Sequence, residues 1–225
     1  MKFYLLFNTV KETGYSGEGA GGQYNMETGC KNCGTACKLI GNLPINAVKL
    51  KRDFIQTLDR DYLISDKLFS ALNSVDVKIG RLLHILNSKS REELPYYHFN
   101  PQFTFPEMLP ESEGIKTDDQ CPVCKRNGFY DYRIYPKDDN GEIIVEQIKD
   151  VPRKYIYNIP DKTILEKSDI FFTWEHFGPS NLIASGNKVV GFARPRLIVS
   201  ERVKSVFEKC SVKNTLFEEI FIQEK

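Results

Sequence analysis

The sequence predicts an α+β protein in which mixed or antiparallel sheets are accompanied by a few helices. Three observations predict this class. Short strand-like segments alternate with turn signals, two segments combine helical spacing with a serine cap, and two Cys-x-x-Cys pairs lie far apart in the chain. At 225 residues, 41% of them hydrophobic, the chain can bury a sizeable core. We therefore expect one compact domain spanning residues 1–225.

The first strand is predicted at residues 2–9, which are rich in Phe, Tyr and Leu. The glycine-rich segment that follows, Gly14 to Gly29, is expected to be a loop. A second irregular connection is expected over residues 88–120, where four prolines interrupt any regular hydrogen-bond ladder. These two connections would separate the strand-rich parts of the chain.

Two hairpins are predicted in the second half of the chain. Residues 128–135 and 142–149 flank Asp138-Asp139-Asn140-Gly141, whose residue types suit a hairpin turn. Residues 182–184 and 188–193 flank Ser185-Gly186-Asn187. Both hairpins favour antiparallel pairing.

An internal similarity relates residues 62–72 to residues 197–207. In each segment an apolar strand end meets a serine suited to cap a helix, Ser65 or Ser200, and an acid and a base follow at the start of a helical pattern. Another apolar stretch comes after each helix. The pattern indicates either a duplicated strand–helix–strand unit or the coincidence of a common capping pattern.

The strongest chemical signal is the pair of Cys-x-x-Cys motifs, Cys30 with Cys33 and Cys121 with Cys124. Two intervening residues let both sulfurs of a pair reach one ion, and four thiolates form a closed tetrahedral zinc site. We predict one structural Zn2+ that staples residues 28–38 to residues 119–129 as a zinc knuckle. A disulfide pair, thioredoxin-like redox chemistry and buried reduced thiols are the alternatives.

The residues around the cysteines refine this prediction. Gly34 follows the first pair and can adopt the positive φ that turns backbone N–H groups toward sulfur. Lys125 stands at the matching place after the second pair, so that turn is expected to differ. Cys37 is either a packed thiol or a replacement ligand, and Cys210 is expected to pack at a helix end. Basic residues near the pairs would offset the site's negative charge: Lys31, Lys38, Lys125 and Arg126.

Neither the overall charge nor the apolar stretches of the sequence indicate binding to nucleic acid or insertion into a membrane. The net charge is +1, which gives no global signal for nucleic acid. No stretch approaches the roughly 18 apolar residues of a membrane span, and the N-terminal apolar run is too short for a secretory signal. We expect a cytoplasmic protein in a reducing compartment, where Cys-x-x-Cys pairs bind metal.

No catalytic centre can be assembled from the sequence, so we expect a protein that is not an enzyme. The three histidines form no His-x-Glu or His-Glu-x-x-His motif, and there is no Gly-x-Ser-x-Gly. Glu175 and His176 are adjacent on a predicted strand, so their side chains should diverge. A half-buried strand end with a packed Trp174 explains this segment.

Charge is unevenly distributed along the chain. From Glu107 to Asp119 there are five acidic residues and one lysine, and from Lys188 to Lys209 there are six basic and two acidic residues. The first segment would suit a basic partner and the second an acidic partner or phosphate. Solvated surfaces are the alternative for both.

The order of motifs resembles the double-CXXCG motif family of bacteria, which includes immunity proteins against polymorphic toxins. The resemblance is carried by Cys30-Lys31-Asn32-Cys33-Gly34, the second cysteine pair, Ser168-Asp169-Ile170-Phe171, and residues 197–203. Lys125 departs from it, since the family has glycine there. It implies a protein that binds and neutralises a cognate toxin, and we expect exposed acids of the loop over residues 95–119, Glu107, Glu111 and Glu113, to contact that partner.

A zinc-ribbon-like module that binds nucleic acid is the alternative function. Its basis is the group of basic residues near the cysteines together with Phe129, Tyr130 and Tyr132, whose rings could stack on bases. The near-neutral net charge argues against nucleic acid as the partner. The sequence leaves the oligomeric state, the toxin's activity and the exchange of Cys37 into the metal site open.

Overall fold

The computed structural model describes residues 1–10, 14–47, 50–80, 82–138, 140–179, 182–184, 188–190 and 193–223. Within these ranges the chain is a mixed α+β protein built mostly from strands, with a few short helices. The α+β class predicted from the sequence is therefore confirmed. None of the helices in the described ranges is long and apolar enough to cross a membrane.

The strands in chain order are β1 (Phe3–Asn8), β2 (Gly14–Ser16), β3 (Tyr24–Asn25), β4 (Lys38–Leu39), β5 (Pro44–Ala47), β6 (Phe54–Gln56), β7 (Tyr62–Ser65), β8 (His84–Asn87), β9 (Glu93–His98), β10 (Ile115–Thr117), β11 (Phe129–Asp131), β12 (Arg133–Ile134), β13 (Lys149–Asp150), β14 (Ile156–Asn158), β15 (Ile170–Phe177), β16 (Leu182–Ala184), β17 (Lys188–Val190), β18 (Arg194–Ser200), β19 (Thr215–Glu219) and β20 (Phe221–Gln223). The α-helices are α1 (Asp66–Asn73), α2 (Ile164–Lys167) and α3 (Glu201–Lys209). Short 3-10 turns lie at Gly17–Ala20, Met26–Thr28 and Val145–Gln147.

The larger strands form two six-stranded sheets. One has the order β10-β11-β15-β18-β1-β19, and the other has the order β2-β5-β8-β9-β7-β6. The remaining strands pair as β3 with β4, β12 with β13, β14 with β20, and β16 with β17. Most pairs are antiparallel, while β5 with β8, β11 with β15, and β14 with β20 run parallel. The sheets are therefore mixed.

Four strands of each sheet share one arrangement. The order β6-β7-β9-β8 in one sheet matches β15-β18-β1-β19 in the other, and all neighbours within each set are antiparallel. The second strand of each set leads directly into a helix, α1 or α3, and the next strand, β8 or β19, lies at the far side of the set. The register agrees as well, because Phe54 faces Ile64 as Ile170 faces Val199. Chain order differs, since β9 follows β8 whereas β1 begins the chain.

One hydrophobic core joins the two sets of strands. Leu68 and Leu72 of α1 lie in the same buried cluster as Val203 and Phe207 of α3, together with Leu6 of β1. The apolar residues recur at helical spacing, so each short helix presents one buried face. A second cluster, rich in aromatic rings, packs around Phe105, Phe171 and Tyr157 on the other side of β1 and β15.

The structure corrects two of the predicted connections. Residues 14–29 are not loop throughout, because β2 pairs with β5 and β3 pairs with β4. The expected irregular region 88–120 contains the regular strand β9, which passes through Pro95. This proline is tolerated because β7 pairs only with Tyr96–His98, and the pairing with β8 shifts register opposite it.

The predicted hairpins agree with the observed pairing in part, because residues 129–131 of the first predicted arm form β11, which pairs with β10 and β15 instead. The arms of the first hairpin pair between β12 and β13 and again at Lys137 with Ile143, around a turn in which the Asp138 carbonyl accepts the Gly141 N–H at 2.9 Å. The 3-10 turn at Val145–Gln147 interrupts the second arm. In the other hairpin β16 pairs antiparallel with β17, and the predicted turn at 185–187 lies outside the described residues.

Candidate metal centre

Four cysteine sulfurs meet at one point although their segments are distant in sequence. The Sγ atoms of Cys30, Cys33, Cys121 and Cys124 all lie within 4.8 Å of one another. Cys30 Sγ is 4.0 Å from Cys121 Sγ, and Cys33 Sγ is 3.6 Å from Cys124 Sγ. The predicted four-residue cluster is thus assembled, and it ties residues near β3 to residues between β10 and β11.

The distances suit a metal ion coordinated by four sulfurs. A tetrahedral site with metal–sulfur bonds of about 2.3 Å separates its sulfurs by about 3.8 Å, and the two distances above lie on either side of that value. A disulfide would require about 2.05 Å, and all six cysteines are free. The donor set is therefore a candidate metal site with four cysteine ligands.

Both Cys-x-x-Cys segments adopt the same turn, which corrects the expectation that the second would differ. The Gly34 N–H donates to the Cys30 carbonyl at 2.6 Å, and the Lys125 N–H donates to the Cys121 carbonyl at 2.9 Å. Gly34 has φ 68° and Lys125 has φ 54°. Lys125 therefore occupies the left-handed region without being glycine, at a conformational cost of about 1–2 kcal/mol.

Two asparagine side chains contact the sulfurs. Asn32 Nδ2 donates to Cys121 Sγ at 3.3 Å, and Asn127 Nδ2 lies 3.5 Å from Cys33 Sγ. Asn127 Oδ1 also accepts the Cys121 N–H at 2.8 Å, so this buried amide bridges the two segments. Such contacts orient metal ligands and stabilise thiolates. Of these two asparagines, only Asn32 could have been expected from the sequence to contact the sulfurs, because it lies between Cys30 and Cys33.

The surroundings shift the pKa values of the Cys121 and Cys124 thiols in opposite directions. Burial opposes ionisation of Cys121, but hydrogen bonds from the Cys124 N–H, Asn32 and the Val123 N–H outweigh it and lower the pKa of this thiol to about 6. Burial raises the pKa of Cys124 to about 12, and the Cys33 sulfur adds to that rise. Packed this closely, four thiolates repel one another, and a bound cation removes that repulsion.

The two remaining cysteines lie outside this cluster. Cys37 Sγ is 3.8 Å from the Met26 sulfur and belongs to a neighbouring pocket of side chains. Burial raises the pKa of its thiol, as it does for Cys33 and Cys124, so position and not acidity separates Cys37 from the four clustered cysteines. Cys210 follows α3 as its C-terminal cap residue and packs against the core.

The acidic candidates for partner binding are all at the surface. Glu107, Glu111 and Glu113 are exposed. The backbone of this segment is fixed, because Met108 pairs with Tyr157 and Glu113 pairs with Lys154. The structure therefore presents these three side chains on an ordered edge of the protein.

Glu175 and His176 diverge, as the sequence predicts. Both are buried, but the Glu175 carboxylate accepts the Met108 N–H at 2.6 Å and the Tyr157 hydroxyl at 3.2 Å. Burial raises the pKa of Glu175 to about 7. His176 faces the other way, where burial and then Arg126 lower its pKa to about 3. The two groups do not form an acid–base pair.

Two arginines of the basic segment between Lys188 and Lys209 form ion pairs within the protein. Arg196 is hydrogen bonded through both terminal nitrogens to Asp131 at 2.8 Å, and Arg202 approaches Asp169 at 3.7 Å. Near the cysteines, Phe129 is buried in the aromatic cluster and is not available to stack on a base, whereas Tyr132 is exposed.

No protein-family model matches the chain, and a search of curated proteins finds no match. The resemblance to the double-CXXCG motif family therefore stays a prediction from the quoted motifs. The geometry independently gives a four-cysteine cluster, an ordered acidic edge and several buried polar networks.

Proposed function

We propose that this protein is an immunity protein that binds and neutralises a cognate bacterial toxin in the cytoplasm, acting as an inhibitor without chemistry of its own. The observation that carries the proposal is the exposed acidic edge containing Glu107, Glu111 and Glu113. Its backbone is held by the pairings at Met108 and Glu113. An ordered acidic edge suits a basic protein surface, because charge complementarity steers encounter and selects the partner.

The surface next to this edge offers apolar anchors for the same partner. The hairpin of β12 and β13 begins beside the acidic edge, since the Tyr132 N–H donates to the Gly114 carbonyl at 2.8 Å. Its exposed large apolar residues are Tyr132, Ile134, Tyr135, Ile143 and Val145. Exposed aromatic and aliphatic side chains in one projecting element are typical of interfaces, where a few such anchors supply most of the binding energy.

We propose further that the four-cysteine cluster holds one structural zinc ion. Four thiolate donors select soft or borderline ions, and a closed tetrahedral set is typical of structural zinc. The ion would fix Cys121, which follows the acidic edge by a few residues, to the segment around Cys30. Metal binding would thereby hold one end of the proposed partner surface in place.

We also propose that the two matching sets of strands derive from a duplicated strand–helix–strand unit. The common strand order, the common register and the serine-capped helices of both sets support this origin. The position of β1, ahead of its set in the chain, would then reflect a permuted connection. In this view the first strand completes the second unit.

Co-expression with the product of an adjacent toxin-like gene tests the proposed function. We expect this protein to protect cells from that product and to form a stoichiometric complex with it in pull-down. The zinc-ribbon alternative predicts salt-sensitive retention on single-stranded DNA instead. Nucleic-acid retention without any protein complex would replace the immunity proposal.

A further inference from the structure

A cleft of about 710 Å3 lies beside the metal centre, and no part of the proposed function uses it. Three parts of the chain line it: the turn and strand carrying Arg60 and His98, the strands carrying His176 and Arg194, and the cysteine segments through Cys37 and Arg126. The volume falls within the roughly 300–1,000 Å3 typical of small-molecule sites. The cleft is thus large enough for an organic ligand.

The charge of the cleft is strongly one-sided. Arg60, Arg126 and Arg194 line it, while Asp61 is the one acidic residue among its described lining residues. Asp61 is already engaged, since it accepts the Ser16 hydroxyl at 2.6 Å and lies 3.8 Å from His98 Nε2. Three guanidiniums therefore face one carboxylate.

The three arginines are held by hydrogen bonds that use only some of their N–H groups. Each makes one hydrogen bond to a backbone carbonyl within the described part of the chain, and a guanidinium carries five N–H groups. Backbone carbonyls fix the position of a guanidinium without neutralising its charge. The contacts are Arg60 Nη1 to the Phe177 carbonyl at 2.6 Å, Arg126 Nε to the Trp174 carbonyl at 3.2 Å, and Arg194 Nε to the Asp59 carbonyl at 3.2 Å.

These positive charges act on one another. After burial, the nearby guanidiniums of Arg196 and Arg194 lower the pKa of Arg60. Arg126 lies two positions after Cys124, so the cleft and the metal centre share that segment. Arg60 and Arg194 are like charges that act on each other, while Arg194 also counters the burial that raises the pKa of Asp59, and an anion in the cleft would stabilise both guanidiniums.

We propose that this cleft binds a small phosphorylated molecule of up to nucleotide size. A phosphate group presents several oxygens to more than one guanidinium and carries about −1.5 to −2 charge at pH 7, so it offsets the cluster better than a carboxylate. Tyr24 and Phe172 offer ring surfaces to the organic part of such a ligand, and the exposed Asn100 and Gln102 offer amide groups. The inference does not depend on toxin binding.

The test is calorimetric titration of the full-length, zinc-loaded protein at low salt. The probes are adenosine and guanosine 5′-monophosphates, each compared with its nucleoside, and inorganic phosphate. We expect at least one monophosphate to bind at least about tenfold more tightly than its nucleoside, as expected when charge-assisted contacts to phosphate are added. Absence of binding by every phosphate probe at millimolar concentration would overturn the proposal.

Variants locate the binding in the cleft. Asn100→Asp and Gln102→Glu add a carboxylate at exposed lining positions, so they should weaken monophosphate binding about tenfold without threatening the fold. Arg60→Gln should do the same. The control is Arg133→Gln, which removes an exposed arginine paired with Asp150 on the hairpin of β12 and β13, outside the residues that line the cleft.

Two results would contradict the proposed site. Monophosphate binding that survives all three cleft substitutions would place the ligand elsewhere. Tighter binding of a single-stranded oligonucleotide than of any monophosphate, lost in the same variants, would assign the cleft to nucleic acid instead of a small molecule. A monophosphate-selective loss in the cleft variants, with the Arg133→Gln control unchanged, supports the proposal.

Discussion

Ser65 and Ser200 occupy the same place in two separate strand-to-helix turns. The hydroxyl of Ser65 accepts the Leu68 N–H at 3.2 Å and donates to Asp53 at 2.7 Å. The hydroxyl of Ser200 accepts the Val203 N–H at 3.5 Å and donates to Asp169 at 2.5 Å. In each turn the serine N–H also donates to the carbonyl of that same aspartate at 2.9 Å. Each aspartate also forms an ion pair with the basic residue two positions after the serine, Lys67 or Arg202.

The first prediction compares these two serines. Ser65→Ala should lower the free energy of unfolding by about 1 kcal/mol, the usual value of an N-cap. Ser200→Ala should cost about 2–3 kcal/mol, because Ser200 and Asp169 are buried and the carboxylate would lose a partner that water does not replace. Urea denaturation measures both. Ser205→Ala, within α3, is the control and should be near neutral, and equal losses at Ser65 and Ser200 would contradict the argument.

The second prediction concerns the two cysteine turns. Lys125→Gly should raise the free energy of unfolding by about 0.5–1 kcal/mol, since glycine adopts φ 54° without the strain of a side chain. Gly34→Ala should lower it by a similar amount for the converse reason. Thermal unfolding of the zinc-loaded protein measures the pair. Lys31→Gly, inside the first pair where no such φ is required, is the control and should not stabilise.

The third prediction tests the metal. Protein purified without added metal should contain close to one zinc per chain. Cys33→Ser should abolish that content and lower the melting temperature sharply, because zinc binding in small cysteine sites is worth about 10–16 kcal/mol and couples to folding. Cys210→Ser, outside the cluster, should retain the zinc. Metal-free protein with an unchanged melting temperature would contradict a structural role for the ion.

The fourth prediction concerns pH. Burial raises the pKa of Glu175 to about 7, so the folded protein holds this proton more tightly than the unfolded chain, and stability is lost as pH rises toward and through 7. The full effect is on the order of 3 kcal/mol, at about 1.4 kcal/mol per pKa unit. Glu175→Gln keeps an acceptor for the Met108 N–H and removes the titration. It should gain stability relative to the wild type between pH 5 and pH 8.

The comparison with the variant is needed because two histidines act in the opposite direction. Burial lowers the pKa of both His98 and His176, so their contribution to stability is lost as pH falls below about 6.5. These residues affect wild type and variant equally, and the difference between the two curves isolates Glu175. Glu166→Gln, at an exposed position, should reproduce the wild-type curve. A constant difference between wild type and Glu175→Gln across pH 5–8 would contradict the prediction.

What the sequence predicts well in this protein is local chemistry. The cysteine pairs, the serine caps and the turn at Asp138 each depend on residues a few positions apart, so their spacing carries the signal. The α+β class follows from the same short patterns. Pro95 shows the limit of prediction from local patterns. A proline can lie inside β9 only because the neighbouring strands do not pair with it, and that pairing cannot be deduced from the sequence.

The features that the sequence does not reveal depend on contacts between distant segments. The place of β1 between β18 and β19 joins the start of the chain to its end, and strand pairing of that range has no local signature. Asn127 supports Cys33 across the two cysteine segments. The arginines of the cleft come from several segments. In the sequence each of them is indistinguishable from an ordinary surface arginine. The positive φ of Lys125 is likewise imposed by the shared turn and not by its side chain.

The last prediction tests the acidic edge as a partner surface. Reversing charge at Glu107, Glu111 and Glu113 to lysine should weaken protection against the adjacent toxin and slow association, most strongly at low salt, because steering by exposed charges is screened by ions. The fold should survive, since all three side chains are exposed and the backbone pairings at Met108 and Glu113 do not involve them.

The matched control reverses three exposed glutamates elsewhere, Glu92, Glu93 and Glu208, and thus changes net charge by the same amount. Association rates measured at two salt concentrations separate the local effect from the overall one. If both triple variants slow association equally, net charge and not this edge governs binding. If neither does, the partner surface lies elsewhere, and the apolar hairpin of β12 and β13 becomes the segment to substitute, beginning with Tyr135→Ala and Val145→Ala. Selective loss in the Glu107, Glu111 and Glu113 variant, with zinc content and melting temperature unchanged, is the expected outcome.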